Sequence, residues 1–387
     1  MKTYIKLTAL LLSAVLVLGG CSISQLEDEQ SEPEVIKIGV LEPLSGAAED
    51  GGRLELEGIK LANEMFPEVL GRKVQLVIAD NESDREKSRR LADRLIKEYG
   101  VSAVIGSWGS SLSIASGQSF SSAGIPAIAP SATNPEVTAE NDYYFRASFL
   151  DSFQGKVLAE MAHEELEAAT AVILYEKGSE YSQGLAAFFK KEFTELAGSS
   201  SGIIYEAGYE SSETDFTSIL EKIYELKPDV IFAPGGFTQS AMLIRQAKRM
   251  GIRSQFLGGD TWETHEFLSL GGEAVEGSML TTSFSSEKPV SWTSRRFIYR
   301  YKKKYGREPL SLSALGYDSY RIIIEAIKRA GTAEDGKKLR DEIASTSDFR
   351  GATGTISFDE NGDALKDVVV MQVSSGKFRY HSTVRSS

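Results

Sequence analysis

The stretch VSAVIGSWGSS, Val101–Ser111, decides how the rest of the chain is read. Val101 to Ile105 is a short apolar run bounded by Gly100 and Gly106, which fits a strand covered on both faces. A Gly-Ser loop follows, and the composition predicts a helix starting near Ser110 or Ser111. Serine caps a helix well because its hydroxyl accepts from a first-turn amide. The same first turn offers spare N–H groups and the positive end of the helix dipole, a ready place for a carboxylate or phosphate. Ser110 therefore reads either as a plain cap or as a ligand donor. A strand running into such a helix start is where open α/β sheets bind small molecules.

Upstream, residues 1–20 read as an export signal: Lys2 and Lys6 precede an uncharged apolar stretch, Leu7–Leu18, too short to span a bilayer. It ends in Leu18-Gly19-Gly20-Cys21, which resembles the lipobox of bacterial lipoproteins. Cys21 is the chain's only cysteine, so no intramolecular disulfide is open to it, and lipidation at Cys21 is expected. Residues 21–34 are polar and acidic with no apolar period, and read as a tether between lipid and fold.

The formal net charge of the 387 residues is −12, and losing Lys2 and Lys6 makes it more negative still. No basic patch is evident, so a nucleic-acid partner is excluded and the membrane is expected to be reached only through the anchor. His163, His265 and His381 are scattered, and no metal-ligand spacing, Walker loop or GxGxxG occurs. No nucleophile is paired with a base. The residues give no support for an enzyme, a metal or a cofactor.

Working outward from Val101, apolar runs alternate with amphipathic stretches. Strands are expected at 35–41, 73–79, 101–105 and 125–130, with helices between them, the second spanning 81–99. A second set follows: a helix over 151–168, strands at 171–175, 202–206, 229–233 and 254–257, and intervening helices at 182–196, within 212–226 and at 238–250. Then come a strand at 279–282, helices at 290–305, 311–330 and 335–346, and alternating strands around the turns Asn361-Gly362 and Ser375-Gly376. Two βαβ sets of similar size imply an α/β protein with two doubly wound parallel-sheet lobes, and a ligand cleft between them.

The stretches IKIGVLEPLSG (36–46), VSAVIGSWGSS (101–111), IPAIAPSATNPEVT (125–138), FRASFLDSFQGKVLA (145–159), EYSQGLA (180–186), IRQAKRMGI (244–252), LGYDSYRIIIEAIKRAG (315–331) and GATGTISFDENGD (351–363) cover the chain end to end. Together they resemble the type I periplasmic-binding-protein superfamily, nearest to the Leu/Ile/Val-binding proteins of branched-chain amino-acid ABC importers. The resemblance implies three hinge crossings, one lobe from 35–151 and 283–352, the other from 152–282 and 353–387. It implies a small-molecule ligand, an amino acid, handed to ABC permease subunits outside the cytoplasm, either in a periplasm or on the outer face of the plasma membrane. By the same likeness Ser110 and Thr133 bind the carboxylate and the Ser131 carbonyl accepts from the ammonium. Asp260, in Leu257-Gly-Gly-Asp260, pairs with the ammonium, and Tyr181 closes over the ligand. Trp108 faces the ligand side chain, and Phe237 aligns near an aromatic wall. One departure is visible: where the family often places an aromatic residue, the match here is Gly51, so the wall is absent or is supplied by Trp108. A sensory protein of the same fold, for amides, urea or a short peptide, is the rival reading.

Overall fold

The computed structural model describes residues 35–198 and 202–386; the export signal, Cys21 and the tether lie outside the described residues. The first lobe opens with β1 (Ile36–Glu42), α1 (Glu49–Met65), β2 (Glu68–Val69), β3 (Arg72–Asp80), α2 (Arg85–Lys97), β4 (Ala103–Ile105), α3 (Ser110–Ala123), β5 (Ala127–Ala129) and β6 (Tyr144–Arg146). Their sheet has the order β2-β3-β1-β4-β5-β6, parallel except for the β2–β3 pair. The chain winds from β1 to β3 on one side, then returns to β4 on the other, so the switch point lies between β1 and β4.

The second lobe contains α4 (Asp151–Glu160), β7 (Ala171–Glu176), α5 (Glu180–Leu196), β8 (Ile203–Tyr209), α6 (Thr217–Leu226), β9 (Val230–Phe232), α7 (Phe237–Arg249), β10 (Gln255–Gly258), α8 (His265–Gly271) and β11 (Met279–Thr282). The chain returns to the first lobe with α9 (Trp292–Tyr305), α10 (Ser311–Ala330), α11 (Gly336–Ala344) and the hairpin β12 (Phe349–Gly351) and β13 (Gly354–Ile356). It ends on the second lobe with β14 (Val368–Ser374) and β15 (Lys377–Val384). The second sheet runs β15-β14-β11-β10-β9-β7-β8, with β14 and β15 antiparallel at its edge. Its switch point lies between β7 and β9.

Alternation along the strands sorts the cores. Ile36, Ile38 and Val40 face α1 and α10, while Leu41 and Val104 face α2 and α3. In the second lobe Ile173 and Phe232 pack on Phe189 and Phe193, with Phe189 and Phe232 stacked at 4.2 Å. Each such buried side chain contributes about 1.5–3 kcal/mol relative to exposure. Gly58 lets α1 close on α10: a Cβ there would lie 1.8 Å from the Ser313 carbonyl oxygen.

Four expectations change. The helix expected over 151–168 is α-helical only to Glu160 and continues as a π-turn, Met161–Glu165. The Asn361-Gly362 turn is closed by one bridge, Phe358–Ala364, rather than by two strands, because the hairpin pairing falls earlier, at β12–β13. The return to the second lobe expected after 352 comes later, since Ile356 and Ala364 are buried in the core of the first lobe. The charge of the whole chain also conceals a local surface: α9 carries six Lys and Arg and no acid.

Candidate functional site

The C-terminal ends of both switch points face one cavity of about 450 Å³. Trp108, Ser110, Ser131 and Thr133 line it from the first lobe, and Tyr181 and Asp260 from the second. The structure brings all six together, and all six are buried. Phe237 lines the same space. Helices α3, α5 and α7 all begin at its wall, so their positive dipole ends converge there.

The serine cap expected at the start of α3 does not form. Gly109 is the N-cap, at φ +85°, and Ser110 is the first helical residue. A positive φ strains a serine, and glycine in that place releases the hydroxyls for other work. Ser110 Oγ accepts from the Asn134 amide at 3.2 Å. Ser111 Oγ donates to Glu180 Oε2 across the cleft at 2.5 Å. The Thr133 hydroxyl is buried with the Asp151 carboxyl beside it, and no other hydrogen-bond partner reaches it among the described residues. This hydroxyl lines the cavity.

On the opposite wall Tyr181 donates its hydroxyl to Asp260 Oδ1 at 2.9 Å. The Asp260 amide donates to Gln154 Oε1 at 3.0 Å, and Gln154 Nε2 donates to Asp151 Oδ1 at 3.0 Å. Burial pushes the Asp260 carboxyl up to about 6, against the hydrogen bonds from Tyr181 and Gln154. No cation pairs with it among the described residues. Asp151 and Glu55 are driven by burial to about 8, each raised further by the charge of Asp260.

Sequence reasoning missed a layer beneath these residues. Ser131 Oγ donates to Glu55, and Glu55 meets Glu42, which accepts from the Trp108 amide at 2.7 Å. Glu42 Oε1 and Glu55 Oε2 have no other partner among the described residues, so a proton shared by the two carboxyls is what satisfies them. Burial raises Glu42 well above the usual range, and Glu55 adds to it. Asp151 and Gln154 were readable as two polar residues three apart on a core-facing helix; Glu55 was not, because its neighbours in α1 include the exposed Arg53 and the half-exposed Asp50.

Trp108 fills the place left by Gly51. A Cβ on Gly51 would sit 2.5 Å from the Trp108 ring. The ring meets Phe237 edge-on with centroids 6.0 Å apart, so the aromatic wall is built across the two lobes. The lobes also meet at the rim. Arg85 pairs with Glu180 and donates to the Gly178 carbonyl at 3.2 Å. Asn134 Nδ2 donates to the Glu180 carbonyl at 2.7 Å, and Asp50 accepts from the Glu266 amide at 3.0 Å.

Comparison with known proteins agrees with this geometry. A family model described as periplasmic binding protein matches residues 35–377. A leucine-, isoleucine-, valine-, threonine- and alanine-binding protein of Pseudomonas aeruginosa is 27% identical, covering 91% of this chain and 92% of its own. The crystal structure of a leucine binding protein, LivK, of Thermotoga maritima superposes with a TM-score of 0.88 at 37% identity, over 91% of this chain and 99% of that one. LivJ of Streptococcus pneumoniae, a branched-chain amino acid transporter substrate binding protein in complex with isoleucine, gives 0.85 at 30% identity over 91% and 99%. With this fold, this cleft and these relatives, the chain belongs to the periplasmic binding protein family, as a type I solute-binding protein of the LivJ/LivK kind.

Proposed function

We propose that the chain is a lipid-anchored, extracytoplasmic protein that captures an amino acid between its lobes and presents it to the permease subunits of an ABC importer. The observation that carries this reading is the division of chemistry across one cavity. The hydroxyls of Ser110 and Thr133 stand on one side; a buried carboxylate without a cation stands on the other, at Asp260. A zwitterion needs a partner for each charge once it leaves water. Ser110 and Thr133 serve its carboxylate, the Ser131 carbonyl and Asp260 its ammonium, and Tyr181 fixes Asp260. Trp108 and Phe237 flank the side chain. Because the ligand touches both lobes, its binding energy favours the closed form selectively. Cys21 carries the lipid.

The test is thermal unfolding against amino acids, amides, urea and short peptides. A ligand of the folded state adds about 2.7 kcal/mol at a hundredfold excess over Kd. A shift with one group of amino acids supports the reading and names the ligand class. Silence with all amino acids and a shift with an amide, urea or a peptide overturns it in favour of a sensory protein, a reading that the roomy cavity of about 450 Å³ also accommodates.

A further inference from the structure

A second concavity, of about 340 Å³, lies on the outer face of the first lobe. Phe66, at the C-terminal end of α1, is in its wall. The N-terminal end of that helix, near Ala48, lines the amino-acid cavity, and its 17 residues separate the two by about 25 Å at 1.5 Å per residue. The concavity is lined with arginines in a chain whose net charge is −12.

Two of these guanidiniums are held by rings. Arg296 lies 5.3 Å from the centre of the Trp292 ring and 5.9 Å from that of Phe66. Arg321 lies 5.0 Å from Phe66 and 5.0 Å from Phe349, and donates to the Arg350 carbonyl at 3.4 Å. Arg296, Arg321 and Arg350 form no ion pair among the described residues, whereas Arg329 beside them is bound to Glu342. Among the described residues, Glu325 is the one acid in the lining. Three unpaired guanidiniums against one carboxylate leave a local excess of two positive charges.

A guanidinium stacked on a ring keeps its N–H edges outward and loses the freedom to turn, which prepares it for bidentate binding of an oxyanion. Two of them on one aromatic ring repel each other, and a bound anion relieves that repulsion. A phosphate group carries about −1.5 to −2 charges at neutral pH, which matches the excess better than a single carboxylate does. The exposed faces of Trp292 and Val290 adjoin the opening and suit an apolar body behind the phosphate. We propose that this concavity is a second binding site, for a phosphate group, independent of the amino-acid cleft. The phosphate belongs either to a soluble ester or to a lipid headgroup.

Isothermal titration of the full chain with inorganic phosphate tests it. Binding is expected in the unaltered chain and at least tenfold weaker in Arg296→Gln and Arg321→Gln, with leucine titrations unchanged in both. Arg350→Gln, at an exposed position outside the core, is expected to weaken phosphate binding with no change in melting temperature, which separates loss of the site from loss of the fold. Absence of phosphate binding, or binding equal in all three variants, overturns the proposal. Co-sedimentation of the Cys21→Ser chain with phosphatidylglycerol and phosphatidylcholine vesicles then assigns the source. Retention on the anionic vesicles that phosphate displaces makes it a headgroup; phosphate binding without retention makes it a soluble ester. Retention that phosphate does not displace, in a chain that binds no phosphate, counts against the site.

Discussion

The two lobes share one winding and supply opposite chemistry. Both bring helix starts to the cavity, but the first adds the hydroxyls of Ser110 and Thr133, and the second a carboxyl held by a tyrosine and a glutamine. Topology explains why both walls carry polar groups, since strand C-termini and helix N-termini meet at any switch point. It does not explain the asymmetry, which comes from single side chains: a hydroxyl at Ser110 and Thr133, an acid at Asp260. The fold places the site and a few residues set its sign.

The strongest way to break this comparison is to remove the acid. Asp260→Ala is expected to weaken amino-acid binding at least about thirtyfold by isothermal titration, since truncating one partner of a buried charge pair costs about 2–5 kcal/mol. An unchanged affinity would move the ammonium elsewhere. Ser110→Ala on the opposite wall is expected to cost about tenfold, the size of one hydrogen bond near 1–1.5 kcal/mol. Equal losses at the two positions would erase the asymmetry.

Acid sharpens the same contrast. Burial pushes the Asp260 carboxyl up to about 6, so its ionised form is depleted below that pH. Affinity is expected to fall as pH drops through 6, by about tenfold one unit lower, and Asp260→Asn is expected to abolish the dependence. Stability runs the other way for the layer beneath. Glu55 holds its proton up to about 8 in the fold against about 4.5 outside it. Its contribution is therefore fully present below the unfolded value and lost as pH rises through about 8. The empty protein should melt lower at pH 8.5 than at pH 5, and by a smaller difference in Glu55→Gln.

The smallest effect is expected at the rim. Glu180→Gln removes the ion pair with Arg85 while keeping the fold of α5, and half-exposed pairs are worth little. A loss of affinity of about threefold or less is expected; a loss as large as that of Asp260→Ala would put closure, rather than ligand contact, in control.

Much of this was legible in the sequence. The strand at 279–282 and the helix at 311–330 carry their bounds in apolar runs and flanking glycines, and both stand where expected. Ser110, Ser131, Thr133, Tyr181 and Asp260 follow strand ends, so their convergence comes with the winding order. The rest depended on distant pairs. Glu55 looks like one more acid on a charged helix until α10 buries it. Ser111 and Glu180 are 69 residues apart, and nothing local announces their contact. The serine cap failed because Gly109 took the position whose positive φ a serine resists. The arginine concavity draws on Phe66, α9, α10 and β12, and a net charge averages it away.

The most direct measurement compares an amino acid that stabilises the protein with two of its own derivatives, the N-acetyl form and the amide. Each derivative deletes one charge and keeps the side chain. Titration should show binding of the parent and a loss of a hundredfold or more for both derivatives, since each strands a buried partner on one wall. Binding of either derivative as tight as that of the parent would contradict the division of the cavity into a carboxylate wall and an ammonium wall.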